Sequence, residues 1–350
     1  MICALIKELQ ISARIENKID TIYFGGGTPS ILSTDDIKKL LDTAYQFYNI
    51  SQQAEITLEA NPDDINEIRL KEWKSIGINR LSIGVQSFKD ADLHWMNRVH
   101  NADQALNCIK QVKDAGFKNF SVDLIYGTPT LSDTDWKTNV ETIINLDVPH
   151  ISCYALTVEA NTALQKMISL NKKEEVDSER SAFQFLLLMT WMQQAGYEHY
   201  EISNFAKPGY RSKHNSSYWE GKSYIGIGPS AHSFDINSRR WNVSNNSIYI
   251  QSLQRNIIPY EEELLSDVQK LNEYIMTSIR TIEGIDLGYV EKIFGQDMSC
   301  RLEAESSKWE VNAQLKKSGD KIILTNEGKL FADGIAADLF VEEKINVLQN

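Results

Sequence analysis

Five short apolar runs recur along the first half of the chain, at residues 21–25 (TIYFG), 54–59 (AEITLE), 80–85 (RLSIGV), 119–126 (NFSVDLIY) and 150–156 (HISCYAL). Between them lie segments of helical period, several opening on residues that cap helices. Ser33-Thr34-Asp35-Asp36 opens 37–48, Asp90 opens 91–97, Asn101-Ala102-Asp103 opens 104–115, and Asp133 opens 134–146. Gly77 and Gly116 stand where a left-handed residue ends a helix. Near-continuous apolar runs alternating with helices predict parallel strands covered on both faces, hence an α/β fold, as a barrel or a doubly wound sheet. The chain opens on a helical pattern, residues 1–16, where a repeating unit calls for a strand. Either that helix caps a barrel end or a strand is missing.

The second half reads differently. A charged stretch, 171–180, leads into an apolar helix at 180–195. Residues 198–245 are rich in Gly, Ser, Asn and aromatics and predict loops and short strands. A helix is expected at 264–281, then, after Gly284, helices near 286–294 and 300–316 and a strand pair around 321–325. That order predicts a small winged-helix-like domain. The expected division is a barrel core with its extension at 1–225, a connecting segment at 226–262, and a C-terminal domain at 263–345.

Composition narrows the function classes. A chain of 350 residues can form one large α/β domain plus a small one. A net charge of −12 repels nucleic-acid phosphate and anionic membrane, so neither is expected as a partner. The longest apolar stretch, 183–192, is broken by Gln184 and Thr190 and falls short of the roughly 18 residues a membrane span needs. Lys7, Glu8 and Arg14 do not fit a signal peptide. Cys3, Cys108, Cys153 and Cys300 are scattered, with no metal or disulfide spacing, which points to a reducing cytoplasm. A monomer and a dimer both remain open.

Gly25-Gly26-Gly27-Thr28-Pro29 follows the first apolar run. It is either a tight turn or a loop that brings main-chain amides against a ligand. It is neither a Walker loop nor a dinucleotide fingerprint. Polar residues then recur where later runs end: Glu59, Gln86 and Asp123. In a parallel barrel those strand ends converge on one mouth. Arg98 is placed to reach that mouth and pair with a carboxylate. Further on, His214-Asn215-Ser216-Ser217-Tyr218-Trp219, taken by itself, reads as a folded loop with a structural histidine and two part-buried aromatics.

GGGTPS, LEANPDD, GVQSF, Arg98-Val99-His100 and DLIYGTP, in this order and spacing, resemble the radical S-adenosylmethionine proteins of the HemN/HemW group, over residues 1–340. The resemblance implies a partial (β/α)6-type barrel lacking its first strand, followed by the winged-helix-like domain. It implies that the backbone at Gly26, Gly27 and Thr28 meets the methionine end of S-adenosylmethionine, that Glu59, Gln86, Arg98 and Asp123 are its polar ligands, and that Ala155 contacts the adenine. The chemistry agrees, since carboxylates offset a sulfonium and an amine while arginine holds a carboxylate.

The group contains oxygen-independent coproporphyrinogen III dehydrogenases and heme chaperones, and the H-N-x-x-Y-W pattern of residues 214–219 is that of the chaperones. This implies heme as cargo, His214 as its iron ligand, Tyr218 and Trp219 packed on the porphyrin, and His232, in Gly226-Ile227-Gly228-Pro229-Ser230-Ala231-His232, as the second choice. The expected function is delivery of heme to acceptors such as respiratory membrane cytochromes, without coproporphyrinogen oxidase activity. The alternatives are the dehydrogenase and an inert fragment. The group's 4Fe–4S cluster needs C-x3-C-x2-C, which is absent. Those cysteines are expected before Met1, through a start assigned too late or, less simply, a degenerate site.

Overall fold

The computed structural model describes residues 1–13 and 18–342. Its elements run α1 (Ile2–Ile11), β1 (Lys18–Phe24), α2 (Thr34–Phe47), β2 (Asn49–Ala60), α3 (Glu67–Ser75), β3 (Arg80–Gln86), α4 (Asp90–Trp95), α5 (Ala102–Asp114), β4 (Asn119–Tyr126), α6 (Asp133–Asn145) and β5 (His150–Ala155). They continue with α7 (Ala163–Ser169), α8 (Ser178–Gln194), β6 (Glu198–Glu201), β7 (Asn204–Ala206), α9 (Lys213–Trp219), β8 (His232–Phe234), β9 (Ser238–Asn242), α10 (Asn246–Gln254) and β10 (Tyr260–Leu264). The last are α11 (Asp267–Ser278), β11 (Ile285–Asp286), α12 (Leu287–Phe294), α13 (Gln296–Val311), β12 (Leu315–Ser318), β13 (Lys321–Leu324) and α14 (Ala332–Leu339). The helix expected at 1–16 ends at Ile11, with its cap at Ser12, and residues 14–16 of the expected span lie outside the described residues. Among the described residues no strand precedes β1, and no helix is long and apolar enough to cross a membrane.

Compact packing divides the chain into two units: residues 20–38 with 52–213, and residues 1–19 with 39–51 and 214–350. The first unit is built on a seven-stranded sheet, ordered β1-β2-β3-β4-β5-β7-β6. The pairs from β2 through β5 are parallel, while β7 runs antiparallel to both β5 and β6. The α/β fold expected from the alternating pattern is therefore present, and its sheet is the partial barrel that the resemblance implies. The apolar runs, however, are apolar on one face only. Ile56, Leu58, Leu81, Ile83, Val85, Phe120, Val122, Leu124 and Ile151 are all buried on the helix-covered side. The intervening positions carry Glu55, Thr57, Arg80, Ser82, Asn119, Ser121, His150 and Ser152, equally buried or nearly so. Side chains alternate along a strand, so these polar residues share the other face.

Some groups of that polar interior are paired, while Thr57 Oγ1 and Arg80 Nη2 are buried without a hydrogen-bond partner among the described residues. Arg80 Nε lies 3.9 Å from Glu55, both almost fully buried. His150 Nε2 meets the Tyr200 hydroxyl at 2.7 Å, and burial holds its imidazole well below its usual pKa, hence neutral. His100 is likewise structural, with Nε2 at 2.9 Å from the Val85 carbonyl oxygen. Helix ends follow the capping signals. Asn101 forms a reciprocal capping box with Gln104, and Gly77 and Gly116 adopt φ of +104° and +77°.

In the second unit, β8, β9 and β10 form an antiparallel sheet, and α1 packs on α10 through Ala4, Leu5, Tyr249, Ile250 and Leu253. Nearer the C-terminus, the antiparallel sheet β11-β13-β12 accompanies α11 to α14, with Leu271, Ile275, Ile285, Val290, Leu302 and Ile335 buried. The helices and the short strand pair that the sequence predicts after residue 264 are thus present.

Candidate functional site

The strand ends of the first unit carry the expected polar residues, and their geometry follows from the local chain. Gly26 and Gly27 hold φ of +76° and +74°, a pair of left-handed residues that side chains disfavour, and a Cβ on either would touch nothing within 4 Å. The turn thus presents bare backbone. Thr28 follows it and opens a short turn, Pro29–Ile31. The Gly26 N–H donates to Glu59 at 3.3 Å, and the Tyr23 hydroxyl donates to the same carboxylate at 2.7 Å. Ser30 ties this turn to the next one by donating to Asp64 at 2.5 Å.

Gln86 ends β3 in a left-handed conformation, φ +69°, a strained choice for a residue with a side chain. Arg98 Nη2 donates to Asn61 Oδ1 and to the Gly84 carbonyl oxygen, each at 3.2 Å. These two contacts are neutral, and the carboxylates of Asp63 and Asp123 act on the guanidinium electrostatically. Gly84 makes this meeting possible: a Cβ there would stand 2.9 Å from Gln86 Nε2 and 3.1 Å from Arg98 Nη2.

Asp123, half-buried on β4, faces a cleft of about 700 Å3 whose lining includes Gln86, Tyr126, Tyr154, Ala155 and Ser203. Burial pushes its carboxyl up to about 6; a hydrogen bond from Ser152 opposes the rise and the charge of Glu59 adds to it. The structure thus gathers Gln86, Asp123 and Ala155 on one cleft, with Asp123 electrostatically coupled to Glu59. Tyr23, Asn61, Gly84, Ser152 and Tyr154 belong to this neighbourhood without having been singled out. Asn61 and Gly84 lie within the LEANPDD and GVQSF motifs, and Tyr154 is an aromatic near the end of its run.

These residues fit S-adenosylmethionine. The exposed backbone of the Gly26-Gly27 turn, where a Cβ would touch nothing within 4 Å, suits close approach of a ligand's amino-acid end, and two carboxylates suit its positive charges. They do not fit an iron–sulfur cluster. The sequence holds four cysteines, two of which, Cys108 and Cys153, are buried, with burial pushing both thiols up. No group of three metal-ligating side chains occurs among the described residues.

The second set of candidates belongs to the other unit. The segment expected as a loop is the short helix α9. Four residues apart, His214 and Tyr218 share a face, with rings perpendicular at 5.0 Å and His214 Nε2 at 3.1 Å from the Tyr218 hydroxyl. Tyr218 packs in turn on Tyr224, 4.7 Å between ring centres. Trp219 ends the helix, half-buried. His232 opens β8, exposed, with its ring 6.3 Å from Trp241 on β9.

Residues 2–143 match the family model of the radical SAM superfamily. The chain is similar to the heme chaperone HemW of Bacillus subtilis, 31% identical over 91% of this chain and 84% of the relative. It is similar to that of Mycobacterium tuberculosis, 32% identical over 96% and 85%. The mitochondrial radical S-adenosyl methionine domain-containing protein 1 of Danio rerio is 32% identical over 93% and 73%. Among solved structures, coproporphyrinogen III oxidase HemN of Escherichia coli superposes with a TM-score of 0.83, over 97% of this chain and 82% of that one, at 18% identity. The half-barrel is therefore that of a radical SAM fold. Within that class the chain belongs to the HemW family.

Proposed function

We propose that this protein is a heme chaperone that binds heme through α9 and S-adenosylmethionine at the strand ends of the half-barrel, and passes heme to an acceptor such as a respiratory cytochrome. The observation that carries the reading is the H-N-x-x-Y-W segment folded as a helix, which sets His214 and Tyr218 on one face, in a chain of the HemW family. Imidazole is a common axial ligand to heme iron, and tyrosine and tryptophan rings pack well on a porphyrin. His232 is a further contact.

In the half-barrel, Glu59 and Asp123 offset the ligand's amine and sulfonium, Gln86 and Arg98 orient its polar ends, and the backbone of Gly26, Gly27 and Thr28 receives its methionine end while Ala155 meets the adenine. S-adenosylmethionine bound there supplies a charged, hydrogen-bonding nucleoside. No step is assigned to an iron–sulfur cluster, whose ligands this chain does not carry. The likeness to HemN concerns the fold and does not argue for coproporphyrinogen chemistry.

The deciding experiment is a titration of the protein with hemin, read at the Soret band. One equivalent bound with a shifted band is expected. No stoichiometric binding overturns the reading.

A further inference from the structure

Glu8 lies on α1 with 1% of its surface exposed. A lone carboxylate so placed would be strongly disfavoured. Here three donors from three segments converge on it. The Gly228 N–H donates to Oε2 at 2.8 Å, Asn242 Nδ2 donates to Oε1 at 2.6 Å, and the Tyr249 hydroxyl donates to Oε2. Asn242 Nδ2 also holds the Gly228 carbonyl oxygen at 2.9 Å. Glu8 and Asn242 therefore clasp both polar groups of one peptide residue.

The clasped loop, residues 226–232, is otherwise strained. Gly228 has φ of +118°, and Ser230, with a side chain, has φ of +59°. A Cβ on Gly226 would stand 2.1 Å from the His232 carbonyl oxygen, and one on Gly228 would stand 3.3 Å from Leu5 of α1. Backbone bonds complete the fold-back, Ser230 N–H to Val243 and Asn242 N–H to Ala231. A left-handed residue other than glycine persists only where its surroundings over-determine it. At the loop's outer end stand Ser230 and His232, both exposed, with the His232 imidazole beside the Trp241 indole.

We propose that Glu8 is a positioning residue that holds the 226–232 loop in a preformed shape, so that His232 and Trp241 present a second contact face to heme. This rests on the reading of the protein as a heme binder. An indole face suits a planar porphyrin and an imidazole suits its iron. A loop fixed beforehand has little freedom left to lose on binding, which strengthens the contact.

The test compares the full chain with Glu8→Ala, His232→Ala and the double variant, by hemin titration and by hydrogen exchange. Glu8→Ala should raise exchange across 226–232 by about tenfold or more, the equivalent of one lost charged hydrogen bond. Peptides 119–126 and 150–155 should not change. Its hemin affinity should fall, and the double variant should bind no more weakly than His232→Ala alone, because the two act through one contact.

Hemin binding unchanged in Glu8→Ala, or losses that add in the double variant, overturns the proposal and leaves the heme reading standing. Failure of the unaltered protein to bind hemin overturns both. Should Glu8→Ala not fold, Tyr249→Phe removes one donor and keeps the carboxylate. It should raise exchange in the same loop by a few-fold and weaken hemin binding in parallel; an unchanged loop and affinity count against the proposal.

Discussion

Asp123 offers the sharpest perturbation. Its carboxyl titrates at about 6 in the folded protein against an ordinary 3.8, mainly through burial. The difference of about two pH units corresponds to roughly 3 kcal/mol. Because the folded value is raised, this group's contribution to stability is fully present below about pH 4 and is lost as pH rises through about 6. A cationic ligand selects the ionised form. Affinity for S-adenosylmethionine should therefore climb about tenfold per pH unit up to about 6 and level off above it. The total span is about a hundredfold if the ligand returns the carboxyl to its ordinary value.

Asp123→Asn should flatten that profile between pH 5 and 8, and at pH 8 should weaken binding by about tenfold to a hundredfold, the worth of one charged hydrogen bond. Calorimetry at several pH values measures both effects, with S-adenosylhomocysteine, which lacks the sulfonium, as the control that should show a shallower slope. An Asp123→Asn protein that is folded and keeps the unaltered pH profile refutes the assignment of this carboxylate to the ligand.

Other outcomes are expected elsewhere. Gly84→Ala places a Cβ 2.9 Å from Gln86 Nε2 and 3.1 Å from Arg98 Nη2, so it should weaken S-adenosylmethionine binding while circular dichroism stays unchanged; equal affinity would show that this crowding does not matter. His214→Ala should shift or weaken the hemin Soret band, and an identical spectrum would move the iron ligand elsewhere. Arg80→Met removes a buried guanidinium 3.9 Å from Glu55 and should lower stability in denaturant unfolding by about 1–3 kcal/mol; an unchanged midpoint would show that the pair contributes nothing. After incubation with iron and sulfide, the 350-residue chain should show no 4Fe–4S absorption; about four bound irons per chain would contradict the ligand assignment.

The parallel strands were legible because Leu, Ile, Val and Phe recur in runs with capped helices between them, and β4 matches its run end to end. What the runs concealed was the polar row threaded through them, since Arg80, Ser121 and His150 look like interruptions until their strands are set side by side. Helix α3 left little trace because it buries only Leu70 and Trp73. Strand β10, YEEEL, is exposed at every position, so it has no apolar side to read and exists through pairing with β9. Helix α9 is spelled with Asn215, Ser216 and Ser217, weak helix formers. Its first N–H, at Lys213, is held by the Glu55 carboxylate at 3.2 Å, a contact no local pattern announces. At the site, Glu59, Gln86 and Asp123 stood out as polar strand ends. Tyr23 and Ser152 act through partners far away in sequence and so left no local signal.

The hydrogen bond between His214 and Tyr218 bears on release as much as on capture. On the proposed reading, in which His214 Nε2 takes the iron, heme must displace the Tyr218 hydroxyl, which sits 3.1 Å away and one helical turn along. The competitor is built into the same helix and is always at hand. It subtracts roughly 1 kcal/mol from the bond to iron, about a fivefold loss of affinity. In exchange, the nitrogen that the iron vacates has a hydrogen-bond partner waiting to take it. For the carrier proposed above, an internal rival for the ligand favours release of the cargo by the same amount that it limits capture.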